Sequence, residues 1–295
     1  MVRERPGSPG TRPLRTVEDI DRQQRAQGEN TMARTAHAPR TAHSTGTRRI
    51  ALAGLAVAVL ASVAACGADA KEDKDPEHRS FALQGRTLTV DSDDSALELV
   101  PADVDEVEVT RWFEGRIVVG GDPRVTWEMK DDRLTLRMKC SGFVADCSAR
   151  HRIEVPRGVA VVVEDGDGSV TAKGFQEALK IRTADGSVRV SDSSGPLELH
   201  TGDGSVRAIG IGSRSVRADT QDGSVKLELD VVPDLVEAGS HDGSIDIGLP
   251  RDASYKVDTR ADDGSVRVSV PRDEDSSHVV TAHTRDGSVE LRTMG

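Results

Sequence analysis

Asp, Gly and Ser stand together seven times in this chain, each time followed by Val or Ile. The triplets are Asp167-Gly168-Ser169, Asp185-Gly186-Ser187, Asp203-Gly204-Ser205, Asp222-Gly223-Ser224, Asp242-Gly243-Ser244, Asp263-Gly264-Ser265 and Asp286-Gly287-Ser288. A carboxylate beside a hydroxyl in a glycine turn can ligate a cation, activate a serine or close a turn. Calcium needs about six to eight oxygen ligands, and each triplet supplies one carboxylate. Only the first turn, "EDGDGS", adds more, so Glu164, Asp165 and Asp167 are the candidate calcium ligands. A nucleophilic serine of the hydrolase type sits in G-x-S-x-G, whereas here Gly precedes Ser directly. The histidines recur at no fixed place in the repeat, and His200 and His241 fall on expected exposed positions. No catalytic constellation assembles, so no enzyme activity, catalytic residue or cofactor is expected.

The elements that hold the triplets come out of the spacing. Successive Asp residues are 18, 18, 19, 20, 21 and 23 positions apart. A period near twenty residues marks a stacked repeat. Two, four and six positions before each Asp stand small or branched residues, and three and five positions after it stand apolar ones. For Asp203 these are Thr201, Leu199 and Leu197, then Val206 and Ala208. Charged residues lie between. Each unit therefore reads as two short strands, each with one buried face, joined at the triplet. One unit cannot bury both strands, whereas stacked units can, at about 4.8 Å per layer. The expected fold is all-β: a β-solenoid of about seven DGS[VI] coils over 161–295. An antiparallel meander is the competing architecture, because an Asp-Gly hairpin also sets Thr183 opposite Val188. The triplet then has an architectural reading, with Gly supplying positive φ and Asp accepting backbone N–H groups. In the Asp263 unit Tyr255, Val257 and Thr259 stand shifted back, which predicts a bulge. A stacked Asp row repels itself. Arg189, Arg207, Lys226 and Arg267 follow the Val in four coils and are expected to offset it, although Asp246 and Glu290 break that row.

Before the repeats, residues 81–160 alternate apolar and polar positions in segments such as "RTLTV", "ALELV" and "DRLTLRMK". They read as strands of an N-terminal β-region. Trp112, Trp127 and Phe113 lie here and are expected to pack the end of the β-structure, since the repeats supply no bulk. Cys140 and Cys147 form an even pair across a short loop, which in an exported chain reads as a disulfide.

Export itself is read from the first quarter. Residues 1–31 have no apolar period and are expected to be disordered or untranslated, with translation starting at Met32. Residues 32–65 combine a basic, acid-free leader with the apolar run "IALAGLAVAVLASVAA" from Ile50 to Ala65. That run is short of the ~20 residues a membrane span needs and reads as a signal peptide. "VAAC" resembles the lipobox of bacterial lipoproteins. The resemblance implies cleavage after Ala65 and a diacylglycerol-bearing Cys66. Residues 66–80 read as a flexible tether. The chain carries a net charge of −11; without residues 1–65 it has 29 basic and 45 acidic residues, a net of −16. That balance excludes nucleic acid as a partner and sets the chain against anionic polymers unless divalent cations bridge them.

The "T-x-D-G-S-V-x-h" repeats, the cysteine hairpin followed by "IEVPRGVAVVVEDGDGSV", and the lipobox together resemble the "putative-adhesin" β-solenoid family of bacterial surface proteins, in its actinobacterial lipoprotein form. The resemblance runs from about Phe81 to the C-terminus. It implies a non-catalytic scaffold at the extracytoplasmic face of a bacterial membrane, held by lipid, presenting a binding surface to an envelope polymer or protein. The alternative is an envelope sensing or regulatory accessory protein acting through a membrane partner.

Overall fold

The computed structural model describes Ala70, 73–117, 120–142 and 145–295. Its strands are β1 (Glu77–Phe81), β2 (Thr87–Ser92), β3 (Ala96–Ala102), β4 (Val107–Ile117), β5 (Arg124–Lys130), β6 (Arg133–Lys139), β7 (Ala145–Pro156), β8 (Ala160–Asp165), β9 (Val170–Lys173), β10 (Leu179–Thr183), β11 (Val188–Ser191), β12 (Leu197–Thr201), β13 (Val206–Ile211), β14 (Ser215–Asp222), β15 (Val225–Leu229), β16 (Leu235–Asp242), β17 (Ile245–Leu249), β18 (Lys256–Val268) and β19 (Val279–Thr293).

The coil pairings are parallel and in register, so the solenoid holds and the meander does not. Leu179 pairs with Leu197, Ile181 with Leu199 and Thr183 with Thr201. Val188 pairs with Val206 and Val190 with Ala208. Each coil contributes one strand to each of two faces, and the apolar rows meet between them. Leu199, Ile181, Ala208, Val225 and Ile247 are at most 1% exposed. Identical register is what lets small Val, Ala and Leu side chains fill a core without aromatic bulk.

The stack is longer than the triplet repeat, and its order departs from the sequence at both ends. β2 and β3 form a coil that pairs with β8 and β9 on one side and with β6 and β7 on the other. Its turn, Asp93-Asp94-Ser95, lacks the Gly and so escaped the motif. At the far end β16 and β17 pair with β19, and β19 pairs with β18. The last coil in sequence is therefore the penultimate layer in space. The expected bulge in the Asp263 coil is absent. Val257, Thr259 and Ala261 face Val280, Ala282 and Thr284 at one constant offset that continues to Val268. The irregularity lies instead in β13, where Ala208–Ile211 faces Leu227–Leu229 and Gly210 takes φ 69°.

Antiparallel strands close the N-terminal end: β5 on β6, and β4 on β7 with β1 outside it. The first described strand, β1, starts at Glu77, within the stretch read as tether. "EHRS" shows no apolar period because β1 is an edge strand, held by His78 Nδ1 at 3.0 Å from Thr110 Oγ1 and by the Glu77–Arg111 ion pair. Trp127 packs edge-on to Phe81 against the core. Trp112 lies on the outer side beneath the Arg150 guanidinium. A Cys140–Cys147 disulfide joins the start of the hairpin loop to β7.

Candidate functional site

The seven triplets stack into one column, with every aspartate exposed. What fixes Gly there is contact between layers. A Cβ on Gly204 would sit 2.3 Å from the Gly186 carbonyl oxygen, and on Gly186 1.7 Å from that of Gly168. Both glycines lie outside the positive-φ set, so close approach is their constraint; of the seven triplet glycines Gly287 takes the expected positive φ, at 145°. In five of the seven coils the residue two before the Asp is Thr or Ser, and its hydroxyl bonds a glycine carbonyl of the neighbouring turn. Thr201 Oγ1 donates to Gly186 O at 2.7 Å, Thr220 to Gly204 O at 2.7 Å, Ser240 to Gly223 O at 2.9 Å and Thr284 to Gly243 O at 2.8 Å. Within its own turn Thr183 Oγ1 accepts the Gly186 N–H at 3.0 Å.

The cationic row does not meet the Asp column. It runs as its own ladder, Arg189–Arg207–Lys226–Asp246–Glu290–Arg267. Two of its four cations pair with the acids that interrupt it: Lys226 with Asp246 at 3.6 Å and Arg267 with Glu290 at 3.8 Å. On the other face Lys180 pairs with Glu198 at 2.7 Å and Arg217 with Glu237. These are exposed pairs between layers, each worth well under about 1 kcal/mol.

The first turn departs from the pattern. Asp165 holds the inward hydroxyl position, in register between Ser92 and Thr183. It is 9% exposed, and neither its carboxylate oxygens nor the Ser92 hydroxyl has a hydrogen-bond partner of good geometry. Burial raises its pKa to about 7, drawn down by the nearby Ser92 hydroxyl and Gly168 N–H and raised further by Asp94 and Asp167. The three candidate calcium ligands do not share a face. Asp165 turns into the core, Glu164 turns out and pairs with Arg133 at 2.8 Å, and Asp167 is exposed at the corner.

Ligand atoms of Asp222, His241 and Asp242 do converge, within 4.8 Å of one another and all on exposed residues. His241 Nε2 lies 2.8 Å from Arg285 Nη1. The other ring nitrogen, Nδ1, faces Asp242 at 3.3 Å, and with Arg285 the cluster already has a cation beside it. Asp286 stacks on Asp242, whose carboxyl holds the Asp286 pKa above the usual carboxylate range. His200 is exposed enough to pair with Asp219 at 2.5 Å.

A second buried titratable group, one that the reading of the motifs missed, sits under the N-terminal cap. His151 is fully buried, with both ring nitrogens unpartnered. Burial, and then the Arg111 charge, pull its pKa down to about 3. Arg111 lies 4.2 Å over the Trp127 ring and donates to Val125 O at 3.0 Å. Cys66 and the signal segment lie outside the described residues. Among the described residues no helix is long and apolar enough to cross a membrane.

Three solved structures resemble this chain. A putative cell adhesion protein from Clostridium sporogenes is 12% identical, with a TM-score of 0.31 over 75% of this chain and 100% of that one. A putative adhesin from Bacteroides fragilis is 10% identical, with a TM-score of 0.35 over 75% and 98%. A putative adhesin from Parabacteroides merdae is 12% identical, with a TM-score of 0.32 over 75% and 97%. No curated protein matches. A family model matches residues 146–294, half of the chain and nearly all of the triplet-bearing stack: the chain belongs to the Toastrack DUF4097 family.

Proposed function

We propose that this protein is a non-catalytic scaffold displayed on the outer face of a bacterial membrane, anchored by lipid on Cys66, whose stacked coils present a binding surface to an envelope polymer or an extracellular protein. The observation that carries the reading is the column of exposed turns. One acidic corner repeats in seven layers about 4.8 Å apart, which suits an extended, repetitive ligand. Two further observations support it. The outer ladders are spent on ion pairs between layers, and the Cys140–Cys147 disulfide fits an oxidising compartment.

The test is crosslinking of the full chain on living cells, followed by purification and identification of what is attached. Wall polymer or a surface protein is the expected capture. A single dominant membrane-protein partner would replace the scaffold reading with a regulatory one. Incorporation of labelled fatty acid, lost in Cys66→Ser, tests the anchor separately.

A further inference from the structure

The two ends of the stack are finished differently. At the N-terminal end β4 and β5 cover the first layer, and Phe81 and Trp127 close over the core. At the other end β18 pairs only with β19 among the described strands. Val266 there is 44% exposed, while Val289, Ile245, Val225 and Val206 in the same row are 1% exposed. Val257, Thr259 and Ala261 are half-buried where their counterparts in inner layers are mostly buried.

The free edge also has unpaired backbone groups. Lys256 N–H turns back and donates to His278 O at 2.9 Å. Tyr255 faces the opposite way: its N–H donates to Pro271 O at 2.9 Å and its carbonyl accepts the Asp273 N–H at 3.0 Å. Alternation along the strand then turns the N–H and C=O groups of Val257, Thr259 and Ala261 outward, beyond the point where 271–273 covers the edge. Natural edges are blunted by proline, bulges, inward charges or a row of like-charged side chains, lysine above all, whereas the charges along β18 alternate in sign. β18 has no proline and no break in register.

We propose that this edge joins two copies of the chain, β18 to β18, antiparallel about a two-fold axis at Thr259. The charges choose the occupant. The outward side chains read Lys256, Asp258, Arg260, Asp262, alternating plus and minus. Reversed, that order is its own complement. Centred on Thr259, the pairing sets Lys256 against the partner's Asp262 and Asp258 against the partner's Arg260. Shifting the register by two residues either way sets Asp against Asp and Arg or Lys against Arg. The same centre makes Thr259 opposite itself, and Val257 opposite the partner's Ala261, hydrogen-bonded pairs, with about six backbone bonds in all. These are the residues whose polar groups already face outward. The contact is isologous, so it closes at two copies, and it lays one open layer on the other, covering Val266. The two N-terminal ends then lie at opposite poles. None of this depends on the ligand or the anchor.

The full chain, purified in detergent, carries the test. Thr259→Cys should give a reductant-sensitive homodimer, since facing positions about 5.5 Å apart suit a disulfide. Asp258→Lys sets like charges across both symmetry-related contacts and should weaken self-association at least about tenfold. Asp258→Lys with Arg260→Asp restores opposite signs and should restore the dimer, which a folding defect would not allow. Three results would each overturn the proposal: no Thr259→Cys homodimer, a crosslink to some other protein in its place, or no rescue by the double variant.

Discussion

Replacing Asp165 with Asn should stabilise the protein, and by an amount set by pH. The ordinary carboxyl value is 3.8, and in the fold it is about 7. Between those values the folded chain holds a proton that the unfolded chain has released. The group's contribution is thus fully present below about pH 4 and is lost as pH rises through about 7. At about 1.4 kcal/mol per pH unit the loss totals about 4 kcal/mol. Asn keeps the side-chain shape and carries no charge. The variant should match the parent near pH 4 and gain about 4 kcal/mol by about pH 8, or about 8–16 °C in melting temperature.

His151 runs the other way and hides the effect in the parent. Its ordinary value is 6.5 and its folded value about 3. The unfolded chain binds the extra proton, so this contribution is present above about pH 6.5 and is lost as pH falls toward 3. Between about pH 4 and 6.5 these two contributions have opposite slopes and largely offset each other. Asp165→Asn should expose a rise with pH across that window, and His151→Gln a fall. Urea unfolding of parent and variants at several pH values reads these slopes. A pH-independent difference between Asp165→Asn and the parent would refute the buried-carboxylate account.

Two further outcomes test the architecture. Gly204→Ala pushes a methyl group to 2.3 Å from the Gly186 carbonyl and should cost about 3 kcal/mol, whereas Gly121→Ala, with nothing within 4 Å, should leave the melting temperature unchanged. Reducing the Cys140–Cys147 disulfide, with seven residues of separation, should cost about 2–3 kcal/mol, and hydrogen exchange should show the loss in β4–β7 before the triplet coils.

The repeat made most of the fold legible. Period-two alternation on either side of each Asp gave the inward rows, and their recurrence gave parallel stacking. The β2–β3 coil was not legible, because its turn reads Asp94-Ser95 where the others read Asp-Gly. Its alignment rests on Ser92 standing in the hydroxyl row, which appears only once Ser92 is set beside Asp165. Asp165 itself drew notice as one acid among several near a turn. Only the alternation from Val161 and Val163, carried two residues on, places it inside. His151 lies in the apolar row that ends at Ile153 and Val155, and the same alternation would have found it.

The exchange of β18 and β19 has a cause that the rows do contain. A layer placed inside the stack must give its hydroxyl to the neighbouring turn and bury its mid-strand side chain. β19 does both, with Thr284 bonded to Gly243 O and Ala282 fully buried. β18 offers Ala261 where the hydroxyl should be and Thr259 where the other coils carry Leu, Ile, Val or Ala. Buried in an inner layer, Ala261 would leave a glycine carbonyl unpaired and Thr259 would lose its water. Each unsatisfied polar group costs about 1–3 kcal/mol. As the outermost layer, β18 keeps Thr259 half-exposed. The coil least fitted to burial takes the end, and its exposed row, self-complementary in charge, is left facing out.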